Sequence, residues 1–139
     1  MISIELARSL AGAGLRWQPS SGDRFTIDQP ALEGEVFTVS EMTVEAHAFP
    51  TGTVLGFNGT TEWALDSVTL EETIWLPRED QLRELLGATF RVLERDDGLF
   101  RVRAAFPVTG GLEEVEHAAP VADDAYGAAL LDLVRRSTG

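Results

Sequence analysis

Residues 58–66 concentrate more chemistry than any other stretch of this 139-residue chain. Asn58, Thr60, Thr61, Glu62 and Asp66 supply hydrogen-bonding groups around Trp63, and Asn58-Gly59 is a strong turn dipeptide. Such a set can line a small-molecule pocket with Trp63 as its apolar wall. Glu62 and Asp66 can also serve as a hydrolytic carboxylate pair, which for a glycoside must face each other at roughly 5–10 Å. Spacing along the chain does not impose that separation. The plainer reading makes Asn58-Gly59 a turn, Trp63 and Leu65 core residues, and the threonines partners of local backbone groups.

The remaining reactive side chains form no complete constellation. His47 lies in an alternating segment beside Glu45. Glu113 and His117 are four apart, which suits a metal on a helix, but Gly110-Gly111 and Pro120 argue against a helix there and no third ligand stands near. There is no Gly-x-Ser-x-Gly segment and no evident serine–histidine–acid relay. Cysteine is absent, which removes thiol catalysis, disulfides and thiolate metal sites. No cofactor is expected. The net charge of −12 disfavours nucleic acid as a direct partner, because phosphates repel such a surface.

One cationic group stands out. Arg91 and Arg95 share a face of one expected strand, and Arg101 and Arg103 share a face of the next, with Phe90, Val92, Phe100, Val102, Ala104 and Phe106 opposite. Guanidinium forks bind carboxylate and phosphate in pairs of hydrogen bonds, so these four arginines form a candidate docking face for an anion or a protein. The plainer alternative is cross-strand pairing with Glu71, Glu72 or Glu94.

The elements that would position these residues follow from periodicity. Ser3 to Ala13 reads as a helix with Leu6, Ala7, Leu10 and Ala11 on one stripe, Ser3 as its cap and Gly14 at its end. Strands are expected near Arg24–Ile27, Glu35–Val39, Met42–Phe49, Thr53–Phe57 and Val68–Leu76. A second helix follows Pro77, with Leu82, Leu85 and Leu86 inward and Gly87 ending it. Thr89–Arg95 and Leu99–Phe106 make a hairpin about Asp96-Asp97-Gly98. Gly110-Gly111 opens a polar stretch to Pro120, and Asp123 or Asp124 caps a last helix with Tyr126, Leu130, Leu133 and Val134 on one face.

Three stretches together carry a likeness: Glu5 to Trp17, Trp75 to Leu86, and Ala128 to Leu133. In the order of these elements the chain resembles small bacterial and phage-type proteins similar to the phage alpha-beta-alpha sandwich domains. The resemblance implies a compact mixed fold and transfers no catalytic residue. Some similar proteins carry a pilus-assembly label. This chain has no lysine and no Gly-rich phosphate loop ending in Lys-Ser or Lys-Thr.

The expectation is therefore one α+β domain over residues 1–139, a mostly antiparallel sheet of five to six strands with two to three helices packed on it. No signal segment and no membrane span is read in it. The expected role is a non-catalytic cytoplasmic domain that binds another protein, a second copy of itself included, without nucleic-acid or membrane partners. A small-molecule binder or hydrolase at Asn58–Asp66 is the alternative, and an acidic nucleic-acid mimic that blocks a basic protein comes third.

Overall fold

The computed structural model describes residues 1–32, 34–39, 44–49, 52–57 and 67–138; in 44–49, 52–57, 67–70 and at 138 it is the backbone that is described. By their contacts these residues form two compact units. One joins Met1–Arg16 to Pro77–Gly139, and the other is Trp17–Leu76.

The first unit begins with α1 (Ile4–Ala13). The Ser3 hydroxyl oxygen accepts a hydrogen bond from the Leu6 amide at 3.2 Å, satisfying one of the unpaired donors of the first turn. Gly14 ends the helix at φ 115°, a left-handed conformation that costs glycine nothing. The Leu15 amide then donates to the Leu10 carbonyl at 3.0 Å. Ala7 and Leu10 are buried.

After Pro77 comes α2 (Glu79–Leu86), opened by the Arg78 amide donating to the Gln81 side chain at 2.9 Å. Its leucine stripe is narrower than the expected one: Leu82 and Leu86 are buried, whereas Leu85 is exposed. Strands β7 (Phe90–Asp96), β8 (Leu99–Val108) and β9 (Gly111–Ala119) then form an antiparallel meander. Asp97 and Gly98 both take positive φ, 51° and 74°, as a tight two-residue hairpin turn requires. The last helix, α3 (Ala122–Thr138), packs on β8 and β9 and also meets α1 and α2. Ala125, Tyr126, Ala129 and Leu130 are buried along it, while Leu133 and Val134 are half-buried. At Gly127 a Cβ would lie 2.7 Å from Leu6 Cδ2 and 3.0 Å from Ile2 Cδ1, so the missing side chain is what lets the Leu6 and Ile2 side chains come close to α3.

The second unit holds β1 (Arg24–Ile27), β2 (Phe37–Thr38), β3 (Val44–Phe49), β4 (Gly52–Phe57), β5 (Ser67–Thr69) and β6 (Thr73–Leu76). They pair as two three-stranded antiparallel sheets, β2-β1-β6 and β3-β4-β5. A 3-10 turn at Leu70–Glu72 divides what periodicity reads as one strand from Val68 to Leu76. Phe25 sits opposite both Phe37 and Trp75. Its ring centroid lies 5.5 Å from that of Phe37 and 5.2 Å from that of Trp17, which centres a small aromatic core with Ile27 and Val39. Buried Asp23 organises the preceding loop, accepting from the Trp17 indole at 2.9 Å and the Ser20 amide at 3.0 Å.

The α+β class, the antiparallel pairing and the three helices agree with the sequence reading. The single sheet of five to six strands does not: the strands are divided among separate three-stranded sheets. The physical reason is locality. In β3-β4-β5 and β7-β8-β9 every strand pairs with its neighbour in sequence, because closing a short loop costs less entropy than recruiting a distant strand, whereas β1 reaches across the intervening chain to β6.

Candidate functional site

The β7–β8–β9 sheet of the first unit positions the charged side chains, and its register decides which way each points. Directly opposite residues share a face. Val102 stands opposite Leu93 and His117, Ala104 opposite Phe90 and Val115, and Phe106 opposite Glu113. This is the face that meets α3, and Val102, Ala104 and Phe106 are buried on it. On the other face Arg103 stands opposite Val92 and Glu116, and Arg101 opposite Glu94 and Ala118.

A register shift between Phe90 and Val92 marks a bulge in β7. One extra residue reverses the side to which the following side chains point. Val92 therefore joins the outer face, and Arg95 turns to the helix side, where its guanidinium carbon lies 5.5 Å from the Phe100 ring. The expected quartet of Arg91, Arg95, Arg101 and Arg103 on one face is thus reduced to a trio, with Arg95 on the opposite side.

The outer face carries both signs of charge. Glu116 accepts from Arg101 Nη1 at 2.9 Å and from Arg103 Nε at 3.1 Å, and Arg103 also approaches Glu94 at 3.4 Å. The two guanidinium donors hold the Glu116 carboxyl below the ordinary carboxylate range. Arg91 differs. It donates to the carbonyls of Ala88 and Phe90 and has no carboxylate partner among the described residues. Arg91, Val92, Arg103, Glu114, Val115 and Glu116 surround an open groove of about 480 Å3.

A second cluster ties β9 to α3. His117 Nε2 donates to Asp132 Oδ2 at 2.9 Å, and Arg136 Nε donates to Asp132 Oδ1 at 2.7 Å. Arg136 also binds Glu113 and lies with its guanidinium carbon 5.1 Å from the Phe106 ring. Burial pushes the Asp132 carboxyl up, but the hydrogen bonds from Arg136 and His117 outweigh it and hold the group below its ordinary range. Glu113 and His117 lie on a strand, not a helix, and project to the same side of it, because side chains two or four apart share a face there. Among the described residues no group of three or more histidine, aspartate or glutamate side chains is placed to hold a metal ion. Through Asp132 and Arg136 the cluster clamps His117 and Glu113 of β9 to α3.

The other sequence candidates are placed less fully. Asn58, Thr60, Thr61, Glu62, Trp63 and Asp66 lie outside the described residues. Asp132, Arg136, Glu114 and Glu116 were not singled out by sequence. The signal that could have found them is β9 itself, read from sequence as a polar stretch: Gly111 to Ala119 is nine residues, one fewer than the ten of β8. Among the described residues no helix is long and apolar enough to cross a membrane. No protein-family model, curated protein or solved structure matches this chain.

Proposed function

We propose that this chain is a non-catalytic protein-binding domain whose docking surface is the helix-free face of the β7–β8–β9 sheet. The observation that carries the reading is the groove on that face, where Arg91 keeps a guanidinium unmatched by any carboxylate of the described residues. Arg101 and Arg103 are held in place by Glu116, so the surface presents fixed charges at little further entropic cost on binding. Alternating signs over one sheet give register and partner choice more than raw affinity.

The partner is a protein of net positive charge that sets a carboxylate of its own against Arg91. A chain of net charge −12 attracts such a protein from a distance and repels both acidic proteins and a second copy of itself. A cytoplasmic setting and kinship with the phage-type alpha-beta-alpha sandwich proteins belong to the same proposal, the latter supported by the order of α1, α2 and α3 along the chain.

The test compares the natural chain with an Arg91→Ser, Arg103→Ser double variant whose folding is checked by circular dichroism. Each protein captured from host cells is purified and its affinity measured by calorimetry. The expected result is a basic partner that binds the natural chain and loses at least about tenfold in affinity for the variant, in line with truncation of interface charges. Captured proteins that fail to bind once purified, or that bind both forms equally, overturn the proposal.

A further inference from the structure

The meander has two edges, and β9 is the longer and more uniform one. All nine of its residues pair with β8 in unbroken register, from Ala119 opposite Phe100 to Gly111 opposite Val108. Its other edge pairs with no strand among the described residues. An antiparallel strand paired on one side leaves the N–H and C=O groups of alternate residues pointing outward, a template for one more strand. β7 is a poorer template, because its bulge breaks the spacing of those groups.

The side chains along β9 select what could pair there. Leu112, Glu114, Glu116 and Ala118 project to the outer face, and Glu113, Val115 and His117 to the helix side. Glu113 and Glu116 have arginine partners, whereas Glu114 has no ion pair among the described residues. Leu112 and Val108 are 61% and 43% exposed at the hairpin end of the edge. A second copy of the chain fits badly. With two β9 strands antiparallel about Val115, Glu114 of each would face Glu116 of the other; about Glu114 or Glu116, that glutamate would face itself. Like charges directly opposite are destabilising.

We infer that β9 accepts an extended segment of a partner protein by strand addition, with Lys or Arg at alternate positions opposite Glu114 and Glu116 and an apolar side chain over Leu112. Backbone hydrogen bonds supply affinity and the alternate side chains supply selectivity. The inference deepens the proposed protein-binding role by naming the chemistry of the partner segment, and it rests on that reading.

A ten-residue synthetic peptide with Arg at alternate positions among Val, Thr and Leu serves as the probe. Titration into the full chain is followed by amide chemical shifts and by hydrogen exchange of Leu112 to Ala118. Binding is expected to slow exchange at alternate β9 amides. Methylating alternate peptide nitrogens should abolish this protection while leaving the peptide's charge intact. Glu114→Lys should weaken binding by at least about tenfold, as like charges in contact do. A peptide that binds equally well after N-methylation, or that protects no β9 amide, overturns strand addition and leaves the glutamates as guards against edge pairing. That failure is separable from failure of the protein-binding reading, which is decided by the Arg91→Ser, Arg103→Ser comparison on the sheet face.

Discussion

Replacing Asp132 by alanine tests whether the β9–α3 clamp stabilises the first unit. The carboxylate accepts two charge-assisted hydrogen bonds, from His117 at 2.9 Å and Arg136 at 2.7 Å, and its side chain is 25% exposed. Such bonds contribute about 1.5–3 kcal/mol each when fully buried. Solvent reaches all three partners here, so about 2 kcal/mol for the pair is a fair discount. Alanine returns roughly 0.5 kcal/mol of helix propensity, which leaves a net loss of about 1.5 kcal/mol. The pH dependence carries the sharper signature. Because the folded Asp132 carboxyl titrates below its ordinary value of 3.8, its stabilisation is present above that value and is lost as pH falls through the lowered one. Urea unfolding followed by circular dichroism at pH 7 should therefore show the full gap between the two proteins, and at pH 3 a smaller one. Glu116 titrates low as well, but it is common to both proteins and cancels. Equal stability at pH 7, or a gap that persists undiminished well below pH 3, refutes the assignment.

Substitutions at three further positions probe the packing. Gly127→Leu should cost about 1–3 kcal/mol in thermal melts, because its Cβ already meets Leu6 and Ile2, whereas Gly127→Ala sets a smaller clash against about 1 kcal/mol of helix propensity and should be close to neutral. Val102→Ala, at a position 0% exposed, should lose about 2 kcal/mol in urea unfolding and leave the β8–β9 register visible in amide shifts. Asp23→Ala removes two acceptor contacts and strands the Trp17 indole in a half-buried site, for an expected loss of about 2–3 kcal/mol measured by denaturation. A stability equal to the natural chain in any of the destabilising three would contradict the contact it rests on.

What sequence made legible was what local chemistry decides. Ser3 and Gly14 bound α1 because a hydroxyl acceptor and a residue tolerant of positive φ are needed at those ends. Asp97-Gly98 turns the hairpin for the same reason. The bulge at Phe90–Val92 was not legible, since nothing in the alternation of Phe90, Val92 and Arg95 signals an extra residue; Phe90 is held on the helix side, 5.6 Å from Tyr126, and the chain must absorb the difference. β9 escaped notice because glutamates on both faces erase the apolar alternation that marks a strand. The His117–Asp132 clamp joins a strand to a helix fifteen residues on, a pairing that spacing alone does not announce. The strands of residues 17–76 were visible except that β5 and β6 read as one, and their division into separate sheets depends on partners, which no single segment specifies.

The first unit is built from two pieces of chain, with Trp17–Leu76 between them. Its opening helix therefore leaves the ribosome well before the rest of the unit that houses it. Ala7 and Leu10 have their place beside α3, which begins at Ala122. At roughly 5–20 residues per second, translation holds that helix waiting for about 5 to 20 seconds. During this interval the Trp17–Leu76 segment has emerged whole, while the nascent amphipathic stripe remains available to chaperones.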